Sequence, residues 1–164
     1  MKLQKPEKLS EKHVFNQFHS GEKVLDEWIK HKALKNEYSG GSRTFVVCSE
    51  NNEVVAYYAL STGSIDLDNS TGKFRRNMPN PIPVIILARL AVDQQYQGKG
   101  IGRALIRDAG LRIIQAADIV GIRGLIVHAL TEEAKQFYEN IGFSPSPINP
   151  MTLLITLKDL KNNI

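Results

Sequence analysis

The sequence is poor in the features that would mark it as secreted, membrane-bound or metal-clustered. Its single cysteine, Cys48, has no partner for an internal disulfide, which fits a reducing compartment and gives no metal cluster. His13, His19 and His31 are scattered, and Asp66 and Asp68 stand in a loop-like stretch, so no metal site is expected. A membrane-spanning helix needs about 20 apolar residues, and no apolar run here approaches that length; Val84 to Ala88 stops at Arg89. The opening MKLQKPEKLSEKH lacks the apolar core of a signal peptide. There is no evident internal repeat and no long disordered composition. These absences predict a soluble cytoplasmic chain with no membrane association.

What is present suits one globular domain spanning residues 1–164. Hydrophobic residues make up 42% and charged residues 23%, enough for one sizeable core. The formal charge is +4, a statement about partners rather than fold. It is unevenly placed. Lys73, Arg75 and Arg76 flank Phe74 in one knot, and Lys99, Arg103, Arg107 and Arg112 form another group. Such clusters are ordinary on a solvated surface and are also the footprint a polyanion would use.

Apolar periodicity gives the elements. Residues 22 to 38 read as an amphipathic helix, with Val24, Leu25, Trp28, Ile29 and Ala33 on one face, Ser20 as a candidate cap and Gly40-Gly41 as its end. Thr44 to Ser49 and Val54 to Leu60 read as a hairpin turning at Asn51-Asn52. Residues 61 to 81 hold Gly, Ser, Asp, Asn and Pro in quantity and read as a long loop. Ile82 to Val92 reads as a buried strand, residues 93 to 100 as a turn, and Ile101 to Ala117 as a helix. Leu125 to Leu130 is a second buried strand. Thr131 then caps a helix carrying Ala134, Phe137, Tyr138 and Ile141, and Gly142 ends it. Prolines 145, 147 and 150 mark a loop before a last strand, Thr152 to Leu157. This order predicts a mixed α/β arrangement of layers, a central mixed sheet flanked by helices.

The chemistry concentrates where strand 82–92 turns into helix 101–117. Gly98, Gly100 and Gly102 let the backbone approach a ligand, and a helix N-terminus offers free N–H groups and a positive dipole end. Together they make a phosphate cradle. It is not a P-loop, because Gly100 rather than Ser or Thr follows Lys99. It is not a dinucleotide fingerprint, because Arg103 stands where the third glycine belongs.

Gln97-x-x-Gly100-x-Gly102 resembles the acetyl-CoA signature of the GNAT acetyltransferases. Arg89-Leu90-Ala91-Val92 before it and Phe137-Tyr138-x-x-x-Gly142-Phe143 after it agree with that family in order and spacing. The stretch Ala33-Leu34-x-Asn36-x-x-Ser39-Gly40-x-Ser42-Arg43-Thr44 is similar to the toxins of bacterial GNAT toxin–antitoxin modules, the TacT, KacT and AtaT type. Phe18-x-x-Gly21…Leu25-x-x-Trp28 also looks like that group, although its common Cys before the glycine is Ser20 here. The resemblance spans about Leu9 to Leu157. It implies the GNAT acyl-CoA N-acyltransferase fold, acetyl-CoA as co-substrate, and acetylation of the α-amine of aminoacyl-tRNA, which blocks translation. It also implies a ribbon-helix-helix antitoxin, contact with operator DNA only through that antitoxin, and a homodimer.

Site roles follow from the resemblance. The backbone from Gln97, Gly98, Lys99, Gly100 and Ile101 to Gly102 would hold the CoA pyrophosphate, with Arg103 adding charge. Leu90, Ala91 and Val92 would flank the pantetheine beside Phe137 and Tyr138. The Leu90 N–H would polarise the thioester carbonyl, and Tyr138 would protonate the departing thiolate. Lys73, Arg75 and Arg76, helped by Lys32, Lys35 and Arg43, would contact tRNA phosphates. Arg43 could equally be a strand-edge charge, and His128 a proton relay or a structural histidine. Strand 82–92 carries no Asp or Glu. A lysine amine, neutral in only about one molecule in a thousand at pH 7, gains from a carboxylate base, whereas an α-amine near pKa 7.7–8.0 needs little help.

Two other readings use the same residues. One is acetylation of a small-molecule or protein amine, against which the basic knot argues, since those substrates are often cationic. The other is a non-catalytic CoA- or nucleic-acid-binding module, against which the intact Tyr138 and glycine turn argue.

Overall fold

The computed structural model describes residues 3–164. The chain forms two compact units. The first takes in the chain up to Ser61 together with Ala88–Asp108, and the second Thr62–Leu87 together with Ala109–Ile164.

In the first unit, β1 (Glu7–Lys8) pairs antiparallel with β2 (Arg43–Cys48), setting Glu7 opposite Val46. The hairpin of β2 with β3 (Val54–Ile65) turns at Asn51 and Asn52, whose φ angles of 60° and 59° are left-handed. Asparagine tolerates that region better than most residues, so the Asn-Asn signal is physically grounded. The helix expected over residues 22 to 38 is two helices, α1 (Lys23–His31) and α2 (Ala33–Ser39). Lys32 leaves helical geometry at φ −124° and breaks the run, a local kink that side-chain periodicity does not register. Leu25, Trp28, Ile29 and Ala33 are buried with Phe18, Val46 and Tyr57. The Trp28 and Tyr57 rings stack and Phe18 meets Tyr57 edge-on, arrangements worth about 0.5–1.5 kcal/mol each beyond their buried area.

The second unit holds the stretch expected to be a long loop. Instead, β3 runs on to Ile65, a 3-10 turn follows at Leu67–Asn69, and Thr71 caps the short helix α3 (Gly72–Arg75) by accepting from the Phe74 N–H. Phe74 anchors α3 in a core with Ile82, Val84, Ile126 and Leu154. Strand β4 (Ile82–Val92) keeps its expected bounds, but its burial alternates and loses phase between Val84 and Leu87, so it is half-buried rather than buried throughout. It pairs in parallel with β5 (Gly124–His128) over Val84–Leu87. Helix α4 (Ile101–Ala117) has its expected bounds and contributes to both units. Helix α5 (Glu132–Ile141) is capped by Thr131. The short β6 (Ser144–Pro145) pairs with β7 (Thr152–Thr156), which pairs antiparallel with β5. Helix α6 (Leu157–Asn163) follows, beginning at the residue where the expected last strand ends, in a stretch to which the sequence pattern assigns no element. Hydrogen bonding orders the strands β1-β2-β3-β4-β5-β7-β6, a mixed sheet. Among the described residues no helix is long and apolar enough to cross a membrane.

Candidate functional site

The turn from β4 into α4 is held from below. Asp93 caps the 3-10 turn Gln94–Tyr96 by accepting from the Gln95 N–H at 3.0 Å. Gln97 ends that turn, and its exposed side chain folds back on the backbone: Nε2 donates to the Val92 carbonyl at 2.8 Å and to the Ser20 carbonyl at 2.9 Å. The amide of Gln97 therefore sets the shape of the turn. The backbone after it, Gly98 to Gly102, forms the exposed rim and the start of α4. Gly98 and Gly100 adopt φ of 77° and 81°, and the space where their Cβ atoms would stand is open. Glycine is thus required by conformation, and the open space is room for a ligand against bare backbone. The first N–H groups of α4 have no intrahelical acceptor and carry the positive dipole end. That arrangement fits a pyrophosphate. Lys99 Nζ lies 5.5 Å from the centre of the Tyr96 ring, and the Arg103 side chain is exposed.

Upstream, Leu90 and Val92 are half-buried and Ala91 is buried. Arg89 lies over the Trp28 ring at 5.0 Å and donates to the Ala88 carbonyl at 2.9 Å. Burial pushes the Tyr57 hydroxyl well above its ordinary pKa, and the Arg89 charge opposes that rise only in part.

In the second unit, Tyr138 is 6% exposed, its ring edge-on to Phe137 and Phe143. Phe137 is only half-buried, so of the two neighbouring aromatics Tyr138 is the one that faces inward. Burial raises the Tyr138 pKa well above the usual tyrosine value, so the hydroxyl keeps its proton throughout the neutral range. His128 is exposed at the end of β5, its Nδ1 2.9 Å from Thr152 Oγ1.

The basic residues divide between the units. Arg75 and Arg76 are exposed on α3 and at its end and have no ion pair among the described residues. Lys73 Nζ is 2.6 Å from Asp159 Oδ2, and this bond holds the Asp159 carboxyl below its ordinary range. Arg123, which sequence reading missed, donates to the carbonyls of Phe74 and Lys73 at 2.7 Å each and so fixes α3. Its signal is only positional, one arginine at the entry to a buried strand. In the first unit Lys32 and Lys35 are exposed, and Arg43 pairs with Glu37 at 3.6 Å.

The fold also gathers residues that look scattered in sequence. Glu7, His13 and Cys48 bring their ligand-type atoms within 4.8 Å of one another. The Ser10 N–H donates to His13 Nδ1, so the ring proton sits on Nε2, 2.7 Å from Glu7 Oε1. Both imidazole nitrogens are engaged in bracing β1. The bond from His13 holds Glu7 below its usual pKa, and burial pushes the Cys48 thiol up to about 11.

Comparison with known proteins gives the family. The chain matches the GNAT acetyltransferase domain over residues 41–145. It is 46% identical over 156 residues to the tRNA-acetylating toxin of Mycobacterium tuberculosis (strain ATCC 25618 / H37Rv), covering 95% of this chain and 93% of that one. Among solved structures, AtaT complexed with acetyl-methionyl-tRNAfMet superposes with a TM-score of 0.90 at 26% identity, over 98% of each chain. A Tyr-to-Phe mutant of AtaT, bound to the C-terminus of its antitoxin AtaR and to acetyl-CoA, superposes with a TM-score of 0.84 at 27% identity, over 99% of this chain and 97% of that one.

Proposed function

We propose that this chain, which belongs to the GNAT acetyltransferase family, is a toxin that transfers acetyl from acetyl-CoA to the α-amine of an aminoacyl-tRNA and thereby stops translation. The observation that carries this reading is the near full-length identity of 46% to a tRNA-acetylating toxin, joined to a turn whose bare backbone has room for a pyrophosphate.

Acetyl-CoA, when bound, supplies an acetyl group already activated as a thioester. The N–H groups from Gly98 to Gly102 bind its pyrophosphate in a site set before the ligand arrives, since Gln97 locks the turn. The Leu90 N–H donates to the thioester oxygen as charge develops there. Tyr138 keeps its proton because burial raises its pKa; as the amine nitrogen bonds to the thioester carbon and the carbon–sulfur bond breaks, Tyr138 gives that proton to the sulfur, and the proton the amine sheds passes to solvent, from which the tyrosinate is reprotonated. The amine needs no carboxylate on β4, because an α-amine titrates near 7.7–8.0 and is already about a tenth neutral at pH 7 and about half neutral at pH 8, against roughly one part in a thousand for a lysine at pH 7. Arg75 and Arg76 contact tRNA phosphates, with Lys73, Lys32, Lys35 and Arg43 in support. In the cell the chain works as a homodimer and is neutralised by a ribbon-helix-helix antitoxin.

The test is incubation with labelled acetyl-CoA and a total aminoacyl-tRNA pool. Label should enter the RNA fraction and be lost when the pool is deacylated beforehand. Label appearing only in small amines or in protein would replace this reading with the small-amine or protein-amine alternative.

A further inference from the structure

We infer that Asp26 is a positioning residue for acetyl-CoA binding, acting through Ser20 and Gln97 on the turn that opens α4. The inference rests on the loop reading above. It starts from the motif Phe18-x-x-Gly21…Leu25-x-x-Trp28, of which core packing explains only part. Phe18, Leu25 and Trp28 are buried with Tyr57. Ser20, Gly21 and Asp26 are not accounted for by that packing.

Asp26 is a carboxylate only 6% exposed, near the start of α1. Burying a carboxylate is costly unless its oxygens are bonded. Oδ1 accepts from the Ser20 N–H at 2.9 Å and the Ser20 hydroxyl at 2.6 Å, and Oδ2 is 3.5 Å from His19 Nδ1. The carboxylate therefore fixes the backbone of His19 and Ser20. That backbone in turn grips the turn below the glycine rim. The Gln94 N–H donates to the His19 carbonyl at 2.9 Å, the His19 N–H donates to Asp93 Oδ2 at 3.0 Å, and Gln97 Nε2 donates to the Ser20 carbonyl at 2.9 Å. The segments lie so close that a Cβ at Gly21, where φ is 99°, would stand 2.7 Å from Gln94 Nε2. A carboxylate serving only the dipole of α1 could sit exposed. This one is buried and aimed at the backbone that holds the turn.

Removing the carboxylate strips Ser20 of its backbone anchor and leaves only its hydroxyl, which accepts from the Glu22 N–H at 3.1 Å; Gln97 keeps one firm acceptor, and the N–H array from Gly98 to Gly102 loosens. The cost falls on ground-state binding of acetyl-CoA, because the array is no longer preset. Asp26→Ala should weaken acetyl-CoA affinity roughly ten- to a hundredfold, the scale of losing a hydrogen bond to a charged group. By the same reasoning, kcat at saturating acetyl-CoA should stay within about threefold. Asp26→Asn should restore most of the affinity, since Oδ1 still accepts from both Ser20 donors. In a Gln97→Ala background, Asp26→Ala should add little further loss, because the link is already cut.

Calorimetry with acetyl-CoA on the purified full chain, alongside thermal melts, decides it. Wild-type affinity in folded Asp26→Ala, or additive losses in the double mutant, overturns the inference. If Asp26→Ala does not fold, Asp26→Leu, which keeps the volume and removes both acceptors, carries the test, and wild-type affinity there overturns it equally. Gly100→Glu is run in parallel. If it abolishes binding while Asp26→Ala binds normally, only the positioning role fails. If both bind normally, the loop reading fails with it.

Discussion

At the residue scale the account turns on Tyr138. Its position on α5 was legible, because Thr131 and Gly142 bracket the helix and Gly142-Phe143 follows at the spacing of the family. Its burial relative to Phe137 was not. Neighbouring helical residues point about 100° apart, and only the packed fold shows which of two aromatics faces inward. Tyr138→Phe should keep acetyl-CoA affinity and lose about 10²–10⁴ in kcat, the usual share of general acid catalysis. A mutant turning over at the wild-type rate removes Tyr138 from the mechanism. Burial also fixes a pH dependence. The Tyr138 pKa is raised, so its acid form persists above the ordinary tyrosine value of about 10. The kcat–pH profile should therefore show no fall due to this group below about pH 10. A fall centred lower, and absent from the Tyr138→Phe enzyme, would contradict the raised pKa while leaving Tyr138 as the acid.

At the element scale the strand-turn-helix from Ile82 to Ala117 was readable almost to the residue, since a β-run, three glycines and a helical face are strong local signals. What escaped was the support beneath it. Gln97 bonds to Ser20, 77 positions away in the chain, and no local pattern reports a contact at that separation. In the stretch 61–81 the Ser, Thr and Gly content suggests a loop and hides the elements that form there. There β3 simply runs on to Ile65, and Thr71 and Phe74 suffice to cap and anchor a four-residue helix. The helix α6 was missed because seven residues with one buried anchor, Leu160, hold too little periodicity. Gly100→Glu tests the turn. A side chain and a negative charge placed at the N–H array should abolish acetyl-CoA binding. The positive φ adds a strain of roughly 1–2 kcal/mol, which should lower Tm by several degrees without preventing folding. Unchanged affinity in the folded mutant would move the cofactor elsewhere.

At the scale of the whole molecule the excess charge becomes a statement about the substrate. Composition gave the +4 and the knot at residues 73–76, but not the pairing that discounts it. Lys73 is engaged with Asp159 and Arg43 with Glu37, so Arg75 and Arg76 carry most of the available charge in the knot. Replacing Lys73, Arg75 and Arg76 together by Ala should weaken tRNA binding across sequences and flatten the log-affinity against log-salt slope by roughly two to three units, with Lys73 contributing least. Acetyl-CoA affinity should hardly change, because its cradle is backbone. A triple mutant that binds and acetylates aminoacyl-tRNA normally would leave the knot as a solvated surface.

The central claim concerns where the acetyl group goes, and the position of the label after transfer tests it most directly. Aminoacyl-tRNA acetylated with labelled acetyl-CoA is treated with mild base, which cleaves the aminoacyl ester and spares the amide. The account predicts that all the label leaves the RNA as an N-acetyl amino acid, and that the Tyr138→Phe enzyme yields almost none in the same time. Label that stays with the nucleotides after deacylation, or that forms equally on uncharged tRNA, would contradict it.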